Sequence, residues 1–294
     1  MDHTTVLARL SPEDKTSLTE RSNSHALWHL ALYCAALAVC TTWIMSQALL
    51  WQPVMVIQGI FLSFLFTLCH ECTHKTPFKS QRLNEWIGWI SGGIILLPFL
   101  WFRYFHLAHH RHTNDPENDP ELATPKPETW RSYMIHVTGA PYWFSQFTTL
   151  FRNAFFDPSA PYLPERATRK VRLESRVLLG IYTLVFGSLF LSNIALTLWI
   201  IPLILGQPFL RLYLLAEHGR CPEVANMLEN TRTVFTHRVI RFLAWNMPYH
   251  IEHHSFPTVP FHALPKLHQH MKNDLISTSK GYRAFTNEFA KELH

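Results

Sequence analysis

Three groups of histidines stand out by spacing: His70-Glu-Cys-Thr-His74, His106-Leu-Ala-His109-His110 and His250-Ile-Glu-His253-His254. On a helix, positions i, i+3 and i+4 share one face, so each group aims two or three imidazoles at one point. Neutral imidazole is a common ligand of first-row transition metals. Eight such ligands from three segments exceed one tetrahedral zinc, so two metal ions are the simpler count. His218, in Ala216-Glu217-His218-Gly219, directly follows an apolar run and is a ninth candidate ligand. Glu71, Asp115, Asp119, Glu217 and Glu252 could orient the ligands and offset metal charge. Asn246, four residues before His250, is placed to hold a metal-bound water. Glu71, Asp115 and Asn246 are therefore the candidate supporting residues of the chemistry. His112 falls off the helical face of its group. His3, His25, His29, His136, His237, His262, His268, His270 and His294 read as ordinary surface or interfacial residues.

Two other classes share some of these residues. His70–His74 also fits H-E-x-x-H, a zinc-protease pattern with Glu71 as base, but that leaves both H-x-x-H-H groups unexplained. A transporter would carry ionisable residues within its membrane spans, and the long apolar runs here have no charge. Cys69 and Cys72 form a lone C-x-x-C, weak evidence for metal or redox work.

The elements that must position the histidines follow from the charge pattern. The chain has 294 residues, 26 Lys and Arg, 21 Asp and Glu and 19 His, with a net charge of +5. A mean hydropathy of 0.00 hides strong segregation. No Asp, Glu, Lys or Arg occurs from Ser22 to Cys69 or from Val177 to Leu210. Each run is too long for one span of about 20 residues and suits two. The expected fold is an all-α integral membrane protein of one domain, 1–294. It has four transmembrane helices in two hairpins, about 26–69 and 177–216. The breaks fall at Gln47 to Pro53 and at Ser192-Asn193. A helical cap, 70–176 and 217–294, carries the histidines. Basic residues flank the apolar runs, so the positive-inside rule places both termini and the cap in the cytoplasm. The same basicity points to anionic lipid headgroups rather than nucleic acid. Residues 1–24 lack a signal-peptide pattern, and the five cysteines form no disulfide framework.

Three further stretches are distinctive. Trp86 to Trp101 is apolar but short and holds Gly92, Gly93 and Pro98. A span there would send the second histidine group to the far side, so a re-entrant or interfacial segment is expected. Residues 133–156 are aromatic and amphipathic, a second interfacial stretch. Asp115 to Pro127 carries four prolines and reads as a loop.

The three histidine boxes resemble those of the membrane fatty acid desaturase superfamily, which also includes carotenoid and other lipid hydroxylases and ketolases. The resemblance runs from about His70 to Leu264. His70–His74 is similar to the first box of acyl-lipid desaturases, whereas Asn-Asp-Pro-Glu-Asn-Asp-Pro (114–120) is similar to carotenoid hydroxylases. The resemblance implies a non-haem diiron centre held by these histidines, with O2 as co-substrate and two electrons from a partner. No fused cytochrome b5 or iron–sulfur signature is visible, so a separate ferredoxin or cytochrome b5-like donor with its reductase is expected. The chemistry agrees, because acid–base groups cannot take a proton from an unactivated methylene. Trp86, Trp89, Phe99 and Trp101 could help exclude water around a lipid chain. The expected function is O2-dependent desaturation of a fatty acyl chain. The alternative is hydroxylation or ketolation of a carotenoid or other lipid on the same scaffold.

Overall fold

A computed structural model describes residues 2–294. The chain is mainly helical; among the described residues the β-structure is one two-residue parallel pairing of Thr233–Val234 with Thr278–Ser279. Three apolar helices dominate: Asn23–Met45, Trp51–His74 and the run from Leu196 to His218, whose first turn is a π-helix. The 24 residues of Trp51–His74 make about 36 Å of helix at 1.5 Å per residue, enough for a hydrocarbon layer of about 30 Å.

The expectation of two hairpins with four spans is met in part. Three helices are long and apolar enough to cross a membrane, or up to four if one bent pair counts as a span. The first break falls as expected, between Met45 and Trp51, with Gln47 and Leu50 in left-handed turns. The second apolar run is different. Its first helix, Glu165–Ser188, begins with seven charged residues before Val177. The uncharged remainder of that helix is only about 18 Å long. The candidate fourth span is the bent pair Gln81–Ile94 and Phe99–His112, which turns through 101°. This is the stretch expected to be re-entrant or interfacial. Leu96 is left-handed, and Leu97 N–H donates to the Gly92 carbonyl, 2.8 Å, a Schellman-type stop. A Cβ at Gly92 would lie 2.5 Å from the Leu97 carbonyl, so the stop requires glycine there. Pro98 then starts the next helix.

Trp51–His74 lies at the centre. Its Gly59 meets Gly206 of the Ile201–His218 helix so closely that a Cβ on either would stand 1.9 Å from a backbone oxygen of the other helix. Small residues let two backbones approach where lipid supplies no hydrophobic drive. Gln58, buried beside this contact, accepts from Thr41 Oγ1, 3.1 Å, and donates to the Leu198 carbonyl, 2.5 Å. Tyr33 donates to the Phe61 carbonyl, 2.6 Å. The two helices that end in His74 and His218 are thus locked in register.

Residues 133–156 lie in the helices Trp130–Thr138 and Ala140–Phe155; the second turns Phe144, Phe147, Phe151 and Phe155 outward. Asp115 to Pro127 is irregular except for the 3-10 turn Pro120–Ala123.

Candidate metal centre

Each histidine group sits at a helix end. His70 and His74 occupy the last turn of Trp51–His74, and the left-handed Lys75 stops that helix. Phe99–His112 carries His106, His109 and His110. Its N-terminus has no cap from its own side chains. Instead Glu174, buried on the Glu165–Ser188 helix, accepts from the Leu100 N–H with both oxygens, 3.2 and 3.0 Å. The third group forms the short helix His250–Ser255, entered through left-handed Trp245 and Asn246. His218 is the last residue of Ile201–His218.

The nine histidines converge. In one cluster, one nitrogen each of His70, His74, His106, His110 and His253 lie within 4.8 Å of one another. In the other, His109, His218 and His254 do the same. His250 joins the second cluster, with its Nε2 3.2 Å from His218 Nε2. Two nitrogens bound about 2.1 Å from one ion at 90–109° lie about 3.0–3.4 Å apart. The pairs His109–His218, 3.3 Å, and His250–His218, 3.2 Å, fall in that interval, and His74–His106, 2.8 Å, just below it.

The second cluster's outer nitrogens reveal the tautomers, which follow from the hydrogen-bond network. His109 Nδ1 is 3.0 Å from both oxygens of Asp119, which accept only. His218 Nδ1 faces the Asn230 carbonyl, 3.2 Å, also an acceptor. The Thr113 hydroxyl donates its proton to the His109 carbonyl, 2.8 Å, so it accepts from His254 Nδ1, 3.1 Å. All three imidazoles therefore carry a proton on Nδ1 and turn their Nε2 atoms toward one another as the atoms available to a metal. In the neutral rings these Nε2 lone pairs face each other at 3.3 Å, and a cation between them would remove the repulsion.

The first cluster gives a second sign. Both nitrogens of His70, His110 and His253 are enclosed with no hydrogen-bond partner. A buried polar group left unmet costs about 1–3 kcal/mol. Metal ligation would satisfy one nitrogen of each ring. The donor set is all imidazole, which fits first-row metals such as iron. In the third group, burial, reinforced by neighbouring imidazoles, holds His250, His253 and His254 well below the ordinary histidine range. They stay neutral, as ligands must.

The supporting residues divide. Glu71 is fully buried; its Oε1 is 3.6 Å from His253 Nδ1, while Oε2 accepts from Phe261 N–H, 3.0 Å, and Thr76 Oγ1, 3.2 Å. Glu217 Oε1 stands 3.6 Å from His250 Nδ1. Asp115 does not join them. It is turned into its own exposed loop, accepting from Glu117 N–H and Asn118 Nδ2, with His112 at 3.8 Å. Asp119 takes the place by His109 because the Asp115–Asp119 turn folds its side chain inward. Burial raises the Asp119 carboxyl, but hydrogen bonds from His109 and the Glu121 and Asn114 N–H groups outweigh it and hold it below its usual range. Asn246 donates its amide to the Phe261 carbonyl, 3.0 Å, and so braces the loop before the third box.

His112 lies outside both clusters. Two histidines read as ordinary are not. His29 is packed against Phe242 and Trp245 and reaches the Phe242 carbonyl, 2.9 Å. His268 Nδ1 contacts the buried Glu252, whose other oxygen accepts from Thr233 Oγ1, 2.6 Å. Glu252 thus points away from the clusters and anchors the third-box helix. Glu174, Thr113, Asn230 and Thr233 carry no sequence signal. They act through backbone or single hydroxyl contacts from segments distant in the chain. Cys69 and Cys72 are buried free thiols.

Comparison with known proteins agrees with this geometry. The family model for Fatty acid desaturase matches residues 49–286, which span every histidine of the two clusters. A fatty acid desaturase of Bacillus subtilis is 25% identical over 291 residues, covering 90% of this chain and 79% of that protein. An acyl-lipid (9+3)-(E)-desaturase of Dimorphotheca sinuata is 26% identical over 265 residues, covering 72% of this chain and 64% of that one. A Delta(12) fatty acid desaturase of Mortierella isabellina is 30% identical over 116 residues, covering 36% of this chain and 29% of its own length. With the three boxes, their shared site and a family match over most of its length, the chain belongs to the fatty acid desaturase family.

Proposed function

We propose that this desaturase-type oxidoreductase introduces a double bond into a fatty acyl chain, using O2 at two iron ions held by the histidine clusters. The observation that carries the reading is the set of converging imidazole nitrogens at the shared ends of three box segments and the last apolar helix. His70, His74, His106, His110 and His253 would hold one ion; His109, His218, His250 and His254 would hold the other. Iron bound there would supply the oxidising power, drawn from O2 and two electrons, that unactivated C–H bonds demand and acid–base side chains cannot reach. The chain's own residues keep that site ordered and dry. Asp119, Thr113 and the Asn230 carbonyl hold three Nδ1–H groups so that Nε2 faces inward. Glu71 Oε1, 3.6 Å from His253 Nδ1, is the nearest orienting carboxylate of the first cluster, and burial excludes bulk water.

The electrons come from a separate ferredoxin or cytochrome b5-like protein with its reductase. The polar side that carries the clusters faces the cytoplasm, supported by the basic residues flanking the apolar helices. The segment 114–120 offers no separate support for a hydroxylase. Its Asn114 and Asp119 are engaged in bracing the site: Asn114 N–H donates to Asp119, 2.8 Å, and its amide to the Asn230 carbonyl, 2.7 Å.

The test is expression in a host followed by mass spectrometry of its lipids, with iron analysis of the purified protein. New acyl double bonds, absent with H253A, and about two irons per chain are expected. Iron-loaded protein that leaves every acyl chain untouched with a working reductant overturns the substrate. One zinc and no iron overturns the metal assignment.

A further inference from the structure

A second set of enclosed donors lies away from the histidines, on the last apolar helix. Gln207 and Arg211 are one turn apart on Ile201–His218 and share a face. Gln207 Nε2 and Arg211 Nε and Nη2 are enclosed without hydrogen-bond partners. Across from them is the turn joining Trp130–Thr138 to Ala140–Phe155. Its Gly139 is left-handed, φ 73°, and a Cβ there would stand 2.2 Å from Gln207 Cγ, so the glycine makes room for the amide. The Arg211 guanidinium lies 4.3 Å from the centre of the Tyr142 ring. Among the described residues, no carboxylate is within ion-pair distance of it; Glu121 and Glu217 act on it only from farther away. A ring face offsets only part of the cost of burying a cation. Trp143, next to Tyr142, adds another enclosed donor, its Nε1.

The enclosed atoms of Gln207, Arg211 and Trp143 are donors, and His136 Nε2, on the facing helix, is enclosed beside them without a partner. The matching ligand is an oxyanion, a carboxylate or a phosphate, which takes two guanidinium N–H groups in parallel. The outer face of the same helix pair is apolar: Phe144 is 77% exposed and Phe151 54%. Arg211 precedes His218 by seven residues, about 10 Å along the helix axis.

We propose that Arg211 and Gln207 form a subsite for the anionic head of an acyl amphiphile, holding that end while the chain extends toward the histidine clusters. This rests on the acyl-desaturase reading, but its test needs no turnover. Purified metal-loaded protein in neutral detergent is titrated with palmitate, hexadecyl phosphate, hexadecanol and inorganic phosphate, with binding followed by equilibrium dialysis and thermal stabilisation. Palmitate or hexadecyl phosphate binds at least about tenfold more tightly than hexadecanol, the worth of one charge-assisted contact. The tighter of the two identifies the head as carboxylate or phosphate. R211Q removes the preference and Q207L weakens it. Equal binding of hexadecanol and the anionic probes overturns the proposal, as does an unchanged preference in R211Q. Inorganic phosphate alone matching the long-chain probes overturns the assignment to an amphiphile. If R211Q does not fold, R211K, which keeps the charge but loses the planar fork, and the wild-type head-group comparison decide. Arg211-dependent binding without desaturation would sink the activity and leave the subsite standing.

Discussion

The two histidine clusters differ in how they are held. In the second, His109, His218 and His254 each have Nδ1 tied to Asp119, a backbone carbonyl or Thr113, so the inner nitrogens are aimed before any ion arrives. In the first, His70, His110 and His253 have no such ties on either nitrogen. They are positioned by packing at the crossing of Trp51–His74, Phe99–His112 and the third-box helix, with Glu71 3.6 Å from His253 as the nearest orienting group. Three of the second cluster's four rings are aimed by hydrogen bonds, and the first cluster by packing. Single changes should therefore act on them differently.

The largest effect should come from His253→Ala, which removes a ligand at the centre of the packed cluster. Metal content should fall from about two ions toward one, and activity should fall by more than the ~100-fold that losing an orienting partner costs. Two ions retained in H253A would break the assignment. Asp119→Ala tests the cluster held by hydrogen bonds: affinity for one ion should drop about 10–100-fold while the other ion stays bound. Equal loss of both ions would show that the clusters are not held independently. Glu71→Gln should sit near the low end of that range and affect only the first ion, because it leaves the packing intact. Titration of each variant with ferrous iron, followed optically, separates these three. The smallest effect is expected from Glu174→Leu. It removes the borrowed cap of the second-box helix and should cost about 1–2 kcal/mol of stability, seen as a lower unfolding temperature. Because His106 and His110 serve one cluster and His109 the other, E174L should weaken both ions together.

Much of this was legible in the residues. The three spacings place their imidazoles on helix faces because the α-helix repeats every 3.6 residues, and that holds wherever the helices lie. His218 was legible from its position at the end of an uncharged run. The bend at Gly92 to Pro98 was legible as an interruption, though not as a turn of 101° that returns the second box to the first. Other features were not. Asp115 and Asp119 look equivalent in a line of text, and only the fold of their turn decides which reaches His109. Glu252 looks like a candidate neighbour of the ligands, yet Thr233 and His268 draw it to the opposite side. The count of apolar helices also shifted, because charge at the start of Glu165–Ser188 shortens its apolar part.

The sequence by itself determined the candidate ligand types, their spacing within each box and the uncharged lengths that demand an apolar environment. These are local properties, set by helix periodicity and by the cost of exposing or burying each side chain. Only the tertiary structure decided how nine histidines divide into two clusters. That division depends on the glycine contact between Gly59 and Gly206, the bend after Gly92 and the Nδ1 partners brought from distant segments. Such contacts are long-range, and a single chain carries no local signal of which atoms will meet.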